Sequence, residues 1–507
     1  MNSFTSDTSR DMSDEGSATN TPILLLNRFV RTHIRLATVH EGIAAIVISL
    51  SIFACSGVKI SQGPAAGPLQ VGPVNPRYFS DGAGNVLYLV GAHTWTNLQD
   101  MVPRKDVPVF DYAGYLDFLE RHHLNFIRLW RQEEALWEPL PYVRTGPGLA
   151  LDRRPKFDLS RFNPVFFDRL SARVREAGAR GVYVGVMLFQ GWGIERKDPS
   201  RPEDPWPYHP FNRANNINDT DGDPDGNGDG SETHTLSDVR ITEWQDRFVR
   251  HVVDVLNPYD NVIYEIANES TPASVPWQEH LIQLIHDYER TKPTQHPVLF
   301  SGPSRSSERE LWASQAEAVS PIVPAPNVSG YAYLDDPPLN DGRKVVINDT
   351  DHLWGIGGTR EWVWKSFVRG LNPIYMDPYD FLAFPQFYEQ AKDTREEVLS
   401  SLGQTKHYAD RVPLRTMTPR NELCSTRYCL ADPGQAYLIY VPSPGAAEPP
   451  LTVEVDLEGY SGHYRVEWFN PRLGNAHVQD QNLPGGRMSF IAPFTGDAVL
   501  YLNSAPR

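Results

Sequence analysis

Eight short apolar runs rich in β-branched and aromatic residues alternate with helix-like segments through the middle of this chain, and few folds accept that rhythm. The first four runs are Val86 to Ala92, Asn125 to Trp130, Val182 to Phe189 and Asn261 to Asn268. The others are Pro297 to Phe300, Asn327 to Tyr333, Lys344 to Asp349 and Asn372 to Asp377. Between them, Tyr112, Tyr115, Leu116 and Leu119 recur at helical spacing over 111–122. Asn163 followed by Pro164 marks a helix start, and Phe167, Leu170, Val174 and Ala177 make its apolar stripe. Trp244, Phe248, Val252 and Val255 do the same over 238–256, and further helices are expected over 277–288 and 361–369. Apolar strands separated by helices form parallel sheets buried on both faces, so the pattern predicts an α/β fold, a (β/α)8 TIM barrel over 77–411. An open doubly wound sheet is the alternative. It ordinarily carries a glycine-rich phosphate turn after its first strand, and none is present.

At 507 residues the chain has room for a second, smaller domain. After the helical stretch 381–411 the texture changes to short alternating runs between Gly/Pro turns, at Ala436 to Val441, Leu451 to Val455, Tyr464 to Phe469 and Ala498 to Leu502. A small antiparallel β-sandwich is expected over 412–507. Residues 1–60 read as an export segment. A polar lead to Thr21 precedes Arg28, Arg31 and Arg35, and the uncharged run Gly42 to Ala54 is too short for a membrane span but suits a secretory signal. Met12 is an alternative start. Ile52-Phe53-Ala54-Cys55 resembles a lipobox, which would make Cys55 the lipid-bearing first residue of the mature protein. The stretch 61–76 would be its tether, and this anchor the chain's one contact with a membrane, at the cell surface or in the periplasm.

Cys424 and Cys429 are expected to close a small disulfide loop in an oxidising compartment and to stay reduced in a cytosolic one; without neighbouring His they make a poor zinc site. Lys plus Arg is 47 against 63 Asp plus Glu, a net charge of −16 with no basic stripe, which argues against nucleic acid as a partner. The 12 Trp, 22 Tyr and 22 Phe suit stacking on sugar rings, although most will be core.

Barrel enzymes keep their chemistry at the C-terminal ends of the strands, and the fourth run stops abruptly at Asn268-Glu269. Hydrolysis of a glycosidic bond needs two carboxyl groups, one to protonate the leaving oxygen and one to attack the sugar or activate water. Glu269 is the candidate acid. The seventh run ends in Asp349-Thr350-Asp351-His352, and in an extended chain both Asp side chains would point the same way, so Asp349 and Asp351 both remain candidates. Asp351 is preferred because it lies further past the apolar run. His93, Trp95, Arg128, Trp130, Gln190 and Trp192 stand at strand ends on the same face, as do Tyr331, His352, Trp354 and Asp377. They are candidates for substrate binding, with Arg128 orienting a carboxylate and lowering its pKa.

Asn268-Glu269 after the fourth strand, Arg128 at the second and a carboxylate after the seventh resemble the clan A retaining (β/α)8 glycoside hydrolases. Tyr78-Phe79-Ser80-Asp81 ahead of Gly91-Ala92-His93-Thr94-Trp95 is similar to the apiosidase-like, cellulase-related branch. A small collagen-binding-type β domain follows the barrel in that branch, and Tyr428-Cys429-Leu430-Ala431 to Leu502 resembles it. The resemblance implies Glu269 as acid/base, the Asp349 or Asp351 carboxylate as nucleophile, Asn268 on the sugar 2-hydroxyl, and no cofactor for catalysis. The clan mostly has Glu after strand seven. The shorter Asp here leaves the nucleophile and the retaining or inverting outcome open.

A separate acidic loop, Asp221, Asp223, Asp225, Gly226 and Glu232, fits the spacing that places oxygens around Ca2+, with Asn227 and Asp229 at the seventh and ninth positions. A structural calcium is expected. Gly228 stands where an EF-hand has an apolar residue, so a stiffened barrel loop is the better reading. The chain therefore reads as an exported, monomeric glycoside hydrolase acting on a poly- or oligosaccharide. The alternative is a non-catalytic carbohydrate-binding or adhesion protein, which has no chemical need for paired carboxylates. A metal-dependent hydrolase lacks its His cluster.

Overall fold

The structure is a computed structural model that describes residues 63–102, 107–194, 205–302, 308–322, 333–379, 383, 385–443 and 450–504. Eight parallel strands close into a barrel in chain order: β1 (Gly91–His93), β2 (Phe126–Leu129), β3 (Tyr183–Gln190), β4 (Val262–Asn268), β5 (Val298–Ser301), β6 (Ala318–Ser320), β7 (Val345–Asp349) and β8 (Asn372–Met376). The helices are α1 (Tyr112–Arg121), α2 (Pro164–Ala179), α3 (Val239–Leu256), α4 (Val275–Glu289), α5 (Glu308–Ala313), α6 (Thr350–Leu353), α7 (Arg360–Val368), α8 (Pro385–Ala391) and α9 (Arg395–Arg411). Side chains cap the starts of α1, α2 and α3: Asp111 accepts from Gly114 N at 3.0 Å, Asn163 from Val165 N at 3.2 Å and Asp238 from Arg240 N at 2.8 Å.

Alternation along the strands sorts the side chains. Phe126, Ile263, Leu299, Val345, Ile347 and Ile374 gather in one buried cluster inside the barrel, while Ile127, Leu129, Val262, Tyr264 and Ile266 join the helix-facing core. Two residues beyond Phe126, Ile263 and Ile347, the same parity delivers Arg128, Glu265 and Asp349. An apolar floor thus gives way to a charged layer at the strand ends.

The sixth strand is not the expected run 327–333 but Ala318–Ser320, which is too short to leave a hydrophobic signature. Of that run only Tyr333, buried in a turn, is described. Tyr331 lies outside the described residues, as do 1–62 with the export segment, Met12 and Cys55.

The stretch expected to be a tether is packed from Ala65 onward. Ala65 N donates to Gly178 O at 2.8 Å, and Gln70–Val71 pairs with Phe79–Ser80. A Cβ on Gly67 would stand 2.3 Å from Asp260 O, so glycine serves close approach here rather than flexibility.

Beyond α9 come β9 (Thr418–Pro419), β10 (Cys429–Asp432), β11 (Ala436–Val441), β12 (Thr452–Leu457), β13 (Gly462–Asn470), β14 (Asn475–Leu483), β15 (Gly486–Ile491) and β16 (Ala498–Ser504). They form an antiparallel sheet ordered β9-β10-β11-β16-β13-β14, with β12 and β15 as a second, two-stranded sheet. Tyr437, Ile439, Val453, Val455, Trp468 and Leu500 fill the space between them. The opposite parity, including Leu438, Tyr440, Val499 and Tyr501, belongs to the barrel's own core, and Trp364 of α7 stacks on Tyr440 at 6.2 Å. Arg360 to Asp497 at 2.8 Å and Arg411 to Glu467 at 2.8 Å close the joint.

Cys424 and Cys429 are buried free thiols rather than the expected disulfide. The turn between them brings the sulfurs together: their mutual hydrogen bond lowers Cys424 to about 6, while burial raises Cys429.

Candidate active site

Arg128 is the centre of the barrel mouth. It is buried with all three guanidinium nitrogens engaged. Nε and Nη2 donate to the two oxygens of Glu265 at 2.8 and 2.5 Å, and Nη2 also to Asn268 Oδ1 at 2.7 Å. Nη1 donates to Asp349 Oδ2 at 2.7 Å and to Asp351 Oδ2 at 3.2 Å. Burial opposes the cation, but Glu265 and Asp349 outweigh it and raise its pKa. Burial likewise opposes the Glu265 charge; Arg128 and the Ser301 hydroxyl, at 2.7 Å, lower its pKa instead. Glu265 was not among the expected site residues. Its signal was a charge inside an apolar strand, at the inward parity of Ile263.

Asp349, the last residue of β7, is fully buried. Its Oδ1 takes a hydrogen bond from His93 Nε2 at 3.0 Å and caps α6 through Asp351 N at 2.9 Å. Trp130 Nε1 donates to His93 Nδ1 at 2.8 Å. An indole N–H only donates, so Nδ1 accepts and Nε2 carries the proton given to Asp349. Burial would raise Asp349, but His93 and Arg128 hold its carboxyl well below the usual range.

The chain is not extended between the two Asp residues, because α6 begins at Thr350. The expected common direction therefore fails: Asp349 sinks toward Arg128 and His93, while the Asp351 side chain keeps 9% of its surface exposed. Burial, then Glu269, then Asp349 push Asp351 well above the ordinary carboxylate value, with Arg128 opposing. After burial, the strongest influence on Asp351 is thus the charge of Glu269.

Asn268 is locked from three sides. Its Oδ1 accepts from Arg128 and, at 2.8 Å, from His352 Nε2; its Nδ2 donates to Gln190 Oε1 at 3.1 Å. His352 Nδ1 then accepts from Ser320 Oγ at 2.8 Å. Burial and Arg128 lower the pKa of this ring. The ligand atoms of Asp349, Asp351 and His352 lie within 4.8 Å of one another, a grouping a metal could use. With both His352 nitrogens engaged and Arg128 on both carboxylates, the arrangement is an ion-pair network.

His93, Arg128, Trp130, Gln190, Asn268, Asp349, Asp351 and His352 are thus brought into one network. Trp95 lies edge-on to Trp130 at 6.5 Å, and partly buried Trp192 donates its backbone N–H to Gln190 Oε1 at 3.2 Å. Trp354 stands 36% exposed beside Trp362. Asp377 is buried and paired with Arg395, at 2.6 and 2.9 Å, and its backbone N–H donates to His93 O at 2.8 Å.

In the acidic loop the carboxylates of Asp223, Asp225 and Glu232 converge within 4.8 Å. Glu232 Oε2 is buried without a hydrogen-bond partner. Burial and then the charges of Asp225, Asp229 and Asp223 raise Glu232. Asp221 instead lies 3.8 Å from Arg213, Asp229 accepts from Ser231 N at 3.0 Å, and the Asn227 side chain donates to Asp225 at 3.2 Å.

Residues 94–304 match the model of a domain of unknown function, DUF6298. No curated protein matches the chain. Among solved structures it resembles a glycoside hydrolase at 13% identity and a TM-score of 0.55, over 88% of this chain and 99% of the other. A family 5 glycoside hydrolase from Bacteroides vulgatus ATCC 8482 matches at 13% identity and 0.54, over 86% and 93%. At such identity the likeness is one of fold: the chain is built on a scaffold that glycoside hydrolases use.

Proposed function

We propose that the protein is a retaining glycoside hydrolase acting on a poly- or oligosaccharide, with Glu269 as acid/base and Asp351 as nucleophile. The observation that carries this reading is at the mouth: Asp351 is left partly open and contacted by Arg128, and burial and then the charge of Glu269 raise its pKa. Glu269 would protonate the leaving oxygen while Asp351 attacks the anomeric carbon; Glu269 would then take a proton from the water that releases the sugar. The Arg128 guanidinium at 3.2 Å favours negative charge on Asp351. Asp349 is the poorer nucleophile, because both of its oxygens are held by His93, the α6 backbone and Arg128.

The Tyr78 and His93 motifs support the apiosidase-like branch, with the β-sandwich as its collagen-binding-type domain. The signal-like segment and Cys55 support export with a lipid anchor. Asp223, Asp225 and Glu232 would bind one structural Ca2+, which would satisfy the unpartnered Glu232 oxygen.

The test is hydrolysis of a polysaccharide and aryl-glycoside panel by wild type, Glu269→Gln and Asp351→Asn, with and without chelator, and with the product anomer read by NMR. Cleavage of one substrate that falls by on the order of 100-fold or more in each variant supports the assignment. If a glycan binds without cleavage and Glu269→Gln binds it equally, the non-catalytic reading takes its place.

A further inference from the structure

Glu269 stands at φ 47°, in the left-handed region, which a residue with a side chain enters only at a steric cost. Two contacts hold the backbone on either side of its carbonyl. Gly191, in the turn that follows β3, lies directly against the Glu269 peptide. A Cβ there would stand 2.5 Å from Glu269 O and 2.7 Å from Ser270 Cα, so no other residue lets the two segments approach. On the far side, buried Ser270 is hydrogen-bonded through Oγ to His234 Nδ1 at 2.9 Å.

His234 is itself fixed. Its ring stacks on Trp277 at 4.3 Å and 10°, and its Nε2 faces Glu133 Oε1 at 3.8 Å. Glu133 accepts from Gln190 N at 2.6 Å, pairs with Arg131 at 3.3 Å and meets His209 Nε2 at 3.2 Å. Burial opposes the Glu133 charge, but Arg131 and the two His outweigh it, and its pKa falls well below the usual range. The Glu133 carboxylate 3.8 Å from Nε2 favours the ring proton on that nitrogen, which leaves Nδ1 to accept from the Ser270 hydroxyl.

Ser270, His234 and Glu133 repeat the order of a nucleophilic triad, but Ser270 is only 1% exposed and offers no reacting atom to solvent. The network instead grips the end of β4 twice. It reaches Ser270 through His234 and reaches Asn268 through Gln190, whose backbone it binds and whose side chain accepts from Asn268.

We propose that Gly191, His234 and Glu133 are positioning residues that hold the backbone of Glu269 in its left-handed conformation, and thereby aim its carboxyl at the leaving oxygen. This rests on Glu269 being the acid/base. The test uses the full chain, with Glu269→Gln, His234→Leu and His234→Asn assayed side by side on the substrate the panel identifies. His234→Leu lowers kcat about 10- to 100-fold with KM unchanged. His234→Asn, whose Oδ1 can take the acceptor place of Nδ1, recovers most of that loss. Wild-type kcat in His234→Leu, or an Asn variant no better than Leu, overturns the clamp while an inactive Glu269→Gln leaves the acid assignment standing. An active Glu269→Gln removes the acid assignment itself, and the clamp's catalytic role with it.

Ser270→Ala reads the same contact if His234→Leu does not fold. Its crystal structure needs no substrate: Glu269 leaving the left-handed region is the expected result, and Glu269 unmoved at φ 47° overturns the proposal.

Discussion

Two groups of carboxylates sit in the loops and strand ends of this barrel, and the fold treats them in opposite ways. Glu265, Asp349 and Asp351 surround the buried guanidinium of Arg128. Asp223, Asp225 and Glu232 converge on one another, and among the described residues no Lys or Arg pairs with them. The donors that reach them come from their own turn, such as Asn227 N and Gly228 N to Asp223, both at 3.0 Å. The pKa directions divide accordingly: Glu265 and Asp349 fall, whereas Asp223 and Glu232 rise. A lowered carboxyl is one whose charge the protein has already balanced, and a raised one is short of a cation. Asp351 belongs to the first group by position and to the second by direction, because burial and then the charge of Glu269 outweigh Arg128. That incomplete balance is where chemistry is most readily placed.

The largest effect expected from breaking this comparison is at Arg128. Arg128→Met leaves Glu265 and Asp349 buried without their cation and should lower stability by about 3–5 kcal/mol in urea unfolding, with hydrolysis lost. A loss under about 1 kcal/mol would mean that the mouth does not depend on its cation.

Next come the two Asp residues of α6. Asp351→Asn should reduce kcat/KM on the order of 1000-fold while changing the melting temperature little. Asp349→Asn should do the reverse in part, weakening the α6 cap and the His93 contact. The nucleophile must be ionised, and its pKa is raised, so activity should fall away on the acidic side at a pH well above 3.8. Asp349→Asn removes a neighbouring negative charge and frees Arg128 for Asp351, so that limb should move to lower pH. A pH profile of kcat/KM decides; a limb unmoved in Asp349→Asn would detach Asp351 from the profile.

Much of this was legible beforehand, and the illegible parts have physical causes. Seven of the eight strands announced themselves because each carries a run of buried residues; Ala318–Ser320 did not, because three residues show no period. Arg128, Asn268 and Glu269 were found because strand ends point at the mouth. Glu265 was hidden inside a strand whose apolar neighbours suggested a plain core. Glu133, His209 and His234 come from loops that approach one another only through the closed barrel, and spacing along the chain carries no trace of that. The division of labour between Asp349 and Asp351 turned on a helix starting one residue earlier than an extended chain would allow.

A smaller effect should follow calcium. Adding Ca2+ to chelator-treated protein to about 100 times its Kd should raise stability by about 2.7 kcal/mol, read as a shift in thermal unfolding. The pH limb assigned to Asp351 should not move with it. Absence of any thermal response would leave the acidic loop an ordinary solvated turn, with no cation missing from it.

The smallest effect, that at Glu232, is the most discriminating, because one kind of substitution should act with opposite sign in the two groups. Glu265→Gln removes a balanced charge, leaves Arg128 under-compensated in the barrel, and should destabilise the fold. Glu232→Gln removes a charge that burial and three neighbouring carboxylates already disfavour. In chelator, the Glu232→Gln protein should therefore be more stable than wild type, by only a few tenths of a kcal/mol because the loop is partly open to water. With calcium present the order should invert, since the variant lacks one of the oxygens that would hold the ion. Urea unfolding of both variants in each condition reads all four signs at once. A Glu232→Gln protein less stable than wild type even in chelator would show that its carboxylate is already balanced within the protein, and the two groups would then differ in degree rather than in kind.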